Sequence, residues 1–289
     1  MEKVTLYIPC YNAEDTIKEC LESIISQSYE IDEILVIDDG SNDRSVEIAK
    51  KYPVRIINHK ENKGLAASRN TAFREANNEF VASLDADCVA DSQWLGRLME
   101  HFTDNDIAGV GGTLIDRYVL TTADIWRSVH MAQHWGDELI EYPPFLYGNN
   151  TLFKKKCIEK AGFYNEEYKT NYEDVELCMR LYNYGFKLIY NPKAKVEHSR
   201  KDNINSVLFS YWSWFHYEHM ISNQVNRLSR RIAVILGRIV EYTEISQGFF
   251  REDFRERKYK LLPMDFLFIL YCWWFDLRHC VKSMDVISK

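Results

Sequence analysis

Along the first 110 residues, short apolar runs alternate with helix-spaced ones, and two of the short runs stop on aspartates. Val4–Ile8 is β-rich and ends at Pro9. Ile17, Cys20, Leu21, Ile24 and Ile25 then recur at helical spacing, with Asn12 placed to cap the helix. Ile34–Ile37 is a second short apolar run, as expected of a buried parallel strand, and it stops at Asp38-Asp39-Gly40-Ser41. A helix over 45–51, a strand over 54–57 and a helix over 65–76 follow. The next strand, Phe80–Leu84, stops at Asp85-Ala86-Asp87. Such alternation builds a parallel sheet with helices on both faces. Ligands of these sheets sit at the carboxyl ends of the strands. The pairs Asp38/Asp39 and Asp85/Asp87 are therefore expected to share one cleft.

Past residue 113 the pattern weakens. A helix is expected over 124–135, with Trp126, Val129 and Met131 apolar, and Pro143-Pro144 breaks the run. Gly148-Asn149-Asn150 reads as a turn or loop. Helices over 154–161 and 173–183 follow, the second ended by Gly185. Strands are expected over 188–190 and 194–197, and helices from 205 onward. At 289 residues the chain suits one or two domains. Its formal charge of −7 is unevenly spread. Residues 1–199 carry 22 Lys and Arg against 33 Asp and Glu, a net of −11. Residues 200–289 carry 14 against 10, a net of +4, with 17 of the 40 aromatics. The division expected is a body over 1–199 and a helical, aromatic-rich extension over 200–289. Net acidity argues against nucleic acid as a partner.

Seven cysteines, an odd number with no CxxC pair, argue against a disulfide framework or zinc site and for a reducing, cytoplasmic compartment. The N-terminus enters strand-like sequence with no apolar leader. The longest apolar run, Phe266–Phe275, has ten residues, where a membrane-spanning helix needs about 20.

Several groups could carry chemistry. Asp85 and Asp87, one residue apart at a strand end, can hold a hard divalent cation; the same pattern also suits a solvated acidic turn. Asp38 and Asp39 can accept hydrogen bonds from a base or ribose, or can simply close a turn. Glu173-Asp174 opens a helix, where acids are favoured by the dipole, and two adjacent carboxylates can also tune one another as a general base. His198 is either a metal ligand or structural. No GxGxxG follows the first strand, and there is no GxxxxGK[ST] loop, which argues against a dinucleotide site and a P-loop.

In order along residues 3–200, the segments IPCYNAEDTIKECLESIISQSY, EILVIDDGSNDRS, NKGLAASRNTAF, FVASLDADC, GNNTLFKKKCIEKAGFYNE and YEDVELCMRLYNYGFKL resemble the motifs of family 2 glycosyltransferases. The resemblance implies a GT-A fold, a Rossmann-like, mostly parallel sheet flanked by helices, here with a C-terminal α-helical extension. It implies an inverting transferase moving a sugar from a nucleotide diphosphate sugar, a UDP-sugar first and a GDP-sugar second, to a hydroxyl of a glycan or lipid-linked acceptor in polysaccharide synthesis. Mn²⁺ or Mg²⁺ would be the cofactor. By the same resemblance Pro9, Tyr11, Asn12, Asp38, Asp39, Lys63, Gly64, Arg69 and Asp85 form the nucleotide side. Asp85, Asp87 and His198 would hold the metal, Gly148, Asn149 and Asn150 would face the sugars, and Asp174 with Glu173 would be catalytic, Asp174 as the base. Processive members carry QxxRW; here Gln224 to Arg227 is followed by Leu228, so a non-processive enzyme is expected. The alternatives are a non-catalytic nucleotide-sugar-binding protein and a nucleotidyltransferase, although the latter needs a basic motif in the first loop that PCYNAEDT lacks.

Residues 200–289 lie outside the resemblance. Tyr211, Trp212, Trp214, Phe215 and Tyr217, then Trp273, Trp274 and Phe275, crowd two helices, with Arg227, Arg230, Arg231 and Arg238 between. Peripheral docking at the inner face of a membrane is one reading. A helical subdomain packed on the body, or on a second copy in a homodimer, is the other.

Overall fold

The computed structural model describes residues 2–222 and 228–287; the QxxR pair, Gln224 and Arg227, lies outside them. Elements follow in the order β1 (Val4–Cys10), α1 (Ile17–Ile25), β2 (Glu33–Asp38), α2 (Ser45–Ala49), β3 (Arg55–Asn58), α3 (Leu65–Glu75), β4 (Phe80–Leu84), β5 (Cys88–Ala90), α4 (Trp94–Met99) and β6 (Ile107–Asp116). Then come α5 (Thr122–His130), β7 (Ile140–Glu141), β8 (Asn150–Lys154), α6 (Lys155–Ala161), α7 (Glu173–Asn183), β9 (Lys187–His198), α8 (Ile204–Ser222), α9 (Leu228–Arg255) and α10 (Leu262–Ile287). By packing, the chain divides into a unit of residues 1–117 with 133–200 and a unit of 118–132 with 201–289.

The first unit is built on one mixed sheet in the order β3-β2-β1-β4-β8-β6-β9-β5, with β7 beside β9. β1 to β4 are mutually parallel, and β6 and β9 are parallel to each other. β8 runs antiparallel between β4 and β6, so all six of those strands point one way. The sheet is covered on both sides. Val4, Leu6 and Ile8 of β1 pack with Ile17, Leu21 and Trp94, while Tyr7 points the other way into Phe73, Phe153, Leu177 and Tyr190. Two-sided burial is why the strands read as unbroken apolar runs.

Two expectations change, and the glycine-rich run 109–112 takes a place in the sheet. Asn150, expected in the turn 148–150, opens the strand β8, and its buried side chain has both polar atoms engaged. Trp94 Nε1 donates to its Oδ1 at 2.6 Å, and its Nδ2 donates to Thr113 O at 2.9 Å and Ala194 O at 3.3 Å. The glycines at 109–112 lie inside β6; a Cβ on Gly109 would fall 2.3 Å from the Phe153 ring, so only glycine lets β6 and β8 approach there. The two short strands expected over 188–197 are one strand, β9.

The second unit is helical. Thr121 and Asp124 cap α5 reciprocally, and the helix ends at His130, short of the expected 135, so Trp135 is free to stack on Tyr147 at 5.6 Å in the first unit. Trp126, Val207, Leu208, Trp212, Tyr242 and Phe268 form the core of the helical unit. Buried acids pin its helices. Trp126 Nε1 donates to Asp265 at 2.8 Å, Trp212 Nε1 and Tyr242 OH donate to Asp276 at 2.8 and 2.9 Å, and His130 Nε2 meets Asp253 at 3.0 Å. Among the described residues no helix is long and apolar enough to cross a membrane.

Candidate active site

The carboxyl ends of β1, β2, β4, β6 and β9 share one edge of the sheet with the amino end of β8. The loops leaving β1 and β2 are laced together there. Asn12 N donates to Ser41 Oγ at 3.0 Å, Asn42 N donates to Asn12 Oδ1 at 2.9 Å, and Ala13 N donates to Ser45 Oγ at 2.8 Å. Asn12 is left-handed, φ +49°, a conformation asparagine tolerates. It therefore shapes the turn and does not cap α1, which begins behind Thr16.

Both members of the first acidic pair are buried. Asp38 Oδ1 accepts from Ser41 N at 3.2 Å, closing the turn. Asp39 accepts from Lys63 N at 2.9 Å and Gly64 N at 2.8 Å, and faces His59 Nδ1 at 2.7 Å. His59 Nε2 in turn meets Thr71 Oγ1 at 2.9 Å. Asp39 thus ties the 59–64 loop to β2. Tyr11 is half exposed at the rim, whereas Pro9 is buried within β1.

Arg69, on α3, is 1% exposed and sits beneath the strand ends. Nη1 donates to Ser83 Oγ at 2.7 Å and Gly148 O at 2.5 Å, and Nη2 donates to Asp85 Oδ1 at 3.2 Å. Nε lies 3.5 Å from Glu173 Oε1. One guanidinium therefore joins β4, the loop before β8 and the start of α7. Gly148 must be small: a Cβ there would lie 3.0 Å from the guanidinium. Its N–H donates to Asp174 Oδ2 at 3.0 Å, so both of its polar groups are committed.

The backbone at Tyr172 is left-handed, φ +73°, which costs a bulky residue about 1–3 kcal/mol and marks a constrained position. It launches α7 with Glu173 buried on Arg69 and Asp174 half-buried. Asp174 Oδ1 also accepts from Val175 N at 2.8 Å. Burial pushes both carboxyls above their ordinary range, Glu173 further through the neighbouring charge of Asp174. The Gly148 N–H and Arg69 hold Asp174 back. The two acids, equivalent in sequence, are thereby distinguished: only Asp174 keeps an open face.

Asp85 and Asp87 are enclosed by protein yet keep 25% and 39% of their side-chain surface open. Burial raises the Asp85 carboxyl. Burial also works against ionising Asp87, but the hydrogen bond and charge of His198, with the charge of Arg200, outweigh it and bring the carboxyl down to about 2. His198 Nε2 lies 3.1 Å from Asp87 Oδ2, and its Nδ1 lies 3.5 Å from Asp116 Oδ1 at the end of β6. A carboxylate on Nδ1 fixes the ring so that Nε2 can face a metal. Cys88 Sγ is also within reach of this pair. Burial, then Asp87 and Asp85, push its thiol well up. Asp87, Cys88 and His198 thus place a carboxylate, a thiol and an imidazole where they could hold a divalent ion.

Asp85, Asp87, Arg69, Gly148, Glu173, Asp174 and His198 are thus brought together. Asn150 is not: its side chain staples the sheet. Asn149 Nδ2 turns to Gln133 Oε1 at 3.0 Å. Sequence reasoning missed His59 and Asp116, although Asp116 ends a strand as Asp38 does.

The family described as Glycosyl transferase family 2 matches residues 5–163. The chain belongs to glycosyltransferase family 2. Among curated relatives, the poly-beta-1,6-N-acetyl-D-glucosamine synthases of Staphylococcus aureus (strain MSSA476) and Staphylococcus epidermidis are each 28% identical over 204 residues, 67% of this chain and 49% of theirs. The chain thus spans about half the length of the curated relatives it matches. Solved structures similar to it include S. aureus TarS (TM-score 0.56, 19% identity, 73% of this chain and 39% of that one). The mannosyltransferase PcManGT from Pyrobaculum calidifontis, in complex with GDP-Man and Mn2+, has a TM-score of 0.55 at 17% identity, over 100% of this chain and 81% of that one. These likenesses show the GT-A fold. Membership of a glycosyltransferase family weighs against the nucleotidyltransferase reading.

Proposed function

We propose that this glycosyltransferase is inverting, non-processive and metal-dependent. It moves a sugar from a nucleotide diphosphate sugar, UDP-linked first, to a hydroxyl of a glycan or lipid-linked acceptor. The observation that carries this reading is Asp174, a half-buried carboxylate fixed by the N–H of Gly148, whose carbonyl accepts from the same buried guanidinium that holds Asp85. A base needs a fixed position and a pKa shifted toward the working pH. Asp174 has both, and accepts the acceptor proton at a carboxylate oxygen as the hydroxyl attacks. Glu173 stays buried on Arg69 and keeps Asp174 in place.

Tyr11 and the loops tied by Asp38, Asp39, Lys63 and Gly64 form the nucleotide wall. Asp85, Asp87 and His198 are the residues that would hold Mn²⁺ or Mg²⁺. The ion supplies positive charge to the leaving diphosphate. Similar proteins in complex with ligands include TarS with UDP and PcManGT with GDP-Man and Mn2+, and the curated relatives are named for making a polysaccharide. Six described cysteines are free and buried, which supports a reducing, cytoplasmic setting.

The test is Asp174→Asn, assayed with UDP-sugars and Mn²⁺. Transfer is expected to fall by about 100-fold or more while donor affinity is retained. Unchanged transfer would remove the base assignment. Product mass settles processivity: one added sugar per acceptor is expected, and long chains would refute it.

A further inference from the structure

Helix α10 turns its acids inward and a row of apolar side chains outward. Asp265 and Asp276 are buried, and Met264, Phe268 and Cys272 pack in the core beside them. The opposite side presents Phe266, Leu267, Leu270, Trp273, Trp274 and Leu277, from 37% to 66% exposed. The residues recur at helical intervals as one stripe, about 16 Å long at 1.5 Å per residue. No charge interrupts it, because the two acids are the only charged residues of α10 before Arg278. The helix thus has a second apolar face beyond the one that its own unit covers. An apolar patch of this kind marks an interaction surface.

The charge around the stripe indicates what covers it. Among the described side chains of 201–278, Asp202, Asp253, Asp265 and Asp276 are buried but only one base, Arg238. Seven bases and four glutamates are left at least partly exposed. The bases bracket the stripe: Arg255, Arg257, Lys258 and Lys260 precede it, and Arg278 follows. Glu256 pairs with Arg255 and Lys258, which leaves the bracket positive. A second copy fits poorly, since pairing two stripes would bring the bases at their ends together with no exposed acid between Leu262 and Arg278 to meet them. An anionic bilayer fits both features. Tryptophans and leucines settle at the boundary between headgroups and acyl chains, and bases hold lipid phosphates.

We infer that α10 lies in the plane of an anionic membrane surface, with the stripe Phe266–Leu277 immersed and the flanking bases on lipid headgroups. The inference is independent of the sugar chemistry.

The test is flotation of the whole chain with phosphatidylcholine vesicles, with and without phosphatidylglycerol. Binding is expected only with the anionic lipid, and should weaken about tenfold or more as salt rises from about 0.1 M to about 0.5 M. Trp273→Ser with Trp274→Ser should weaken it about tenfold or more at low salt. These positions are exposed, so an unchanged thermal melt is the folding control. Lys260→Gln with Arg278→Gln should remove the preference for anionic lipid and leave the apolar stripe intact. Wild-type tryptophan fluorescence should be quenched by brominated lipid. Absence of flotation with anionic vesicles overturns the inference. So does flotation that both variants leave unchanged, or a dimer in sedimentation that the tryptophan variant dissociates while vesicles are ignored.

Discussion

Arg69→Met tests whether the buried guanidinium is a structural hub. Methionine fills much of the space of the arginine stem, so the loss is mainly of charge and hydrogen bonds. Arg69 donates to Ser83, Gly148 O and Asp85, and lies 3.5 Å from Glu173. Removing one partner of a buried ion pair costs about 3–5 kcal/mol, because the other charge is stranded. At roughly 2–4 °C per kcal/mol for a unit of this size, the melting midpoint should fall by roughly 6–20 °C near pH 7.5. The deficit should also depend on pH. In the variant the folded-state pKa values of Asp85 and Glu173 rise further above their unfolded values. The folded state then binds protons more readily, a stabilisation fully present below the unfolded values and lost as pH rises through the folded ones. The gap to wild type should therefore shrink between pH 7.5 and pH 5. Thermal unfolding at both values measures it, with Arg69→Lys as a companion that keeps the charge but not the fork. A loss under about 1 kcal/mol, or a deficit that ignores pH, would refute the hub. An unchanged midpoint with weakened donor affinity would instead put the guanidinium on the nucleotide.

Gly148→Ala brings a methyl to 3.0 Å from the Arg69 guanidinium and should shift the Asp174 partner by a few tenths of an ångström. Turnover should drop about tenfold or more with donor affinity nearly unchanged, as separate kcat and KM values would show. The acid limb of kcat/KM should lie above the ordinary aspartate value of about 4, since burial raises Asp174 and the base acts deprotonated; a limb at or below that value contradicts the assignment. In the helical unit, His130→Ala removes the ring nitrogen that meets the fully buried Asp253 at 3.0 Å. It should cost about 1–3 kcal/mol, read by chemical unfolding of the whole chain.

What was legible in the sequence is what local chemistry decides. β2 and β4 end next to their aspartates because an apolar strand buried on both faces stops where charge begins. α7 runs over Glu173–Asn183 because its apolar spacing, acidic first turn and following Gly185 agree. Long-range partners were not legible. Asn150 reads as a turn former, and only Trp94, Thr113 and Ala194, each at least 37 residues away, make it a strand residue. Arg69 reads as a loop-side cation; its burial depends on Gly148, 79 residues on. Asp116 joins His198 only because β6 and β9 end side by side. The segment 118–132 packs with 201–289 through Trp126, whose ring meets Tyr211, Phe249 and Phe268.

Acids play opposite parts in the two units. In the first, Asp85 and Asp87 end a strand with a quarter or more of their side-chain surface open, so their charge acts on whatever enters. In the second, Asp202, Asp253, Asp265 and Asp276 face inward, so the +4 of residues 200–289 understates the charge that solvent meets. An anionic donor therefore approaches the first unit against its field unless a cation accompanies it, while an anionic surface approaches the second down its field. Salt should then act with opposite signs. Screening relieves the repulsion of a donor without metal and weakens the attraction of a vesicle. One titration of ionic strength, followed by metal-free donor binding and by flotation, separates the two; parallel responses would mean that the two surfaces do not carry opposite fields.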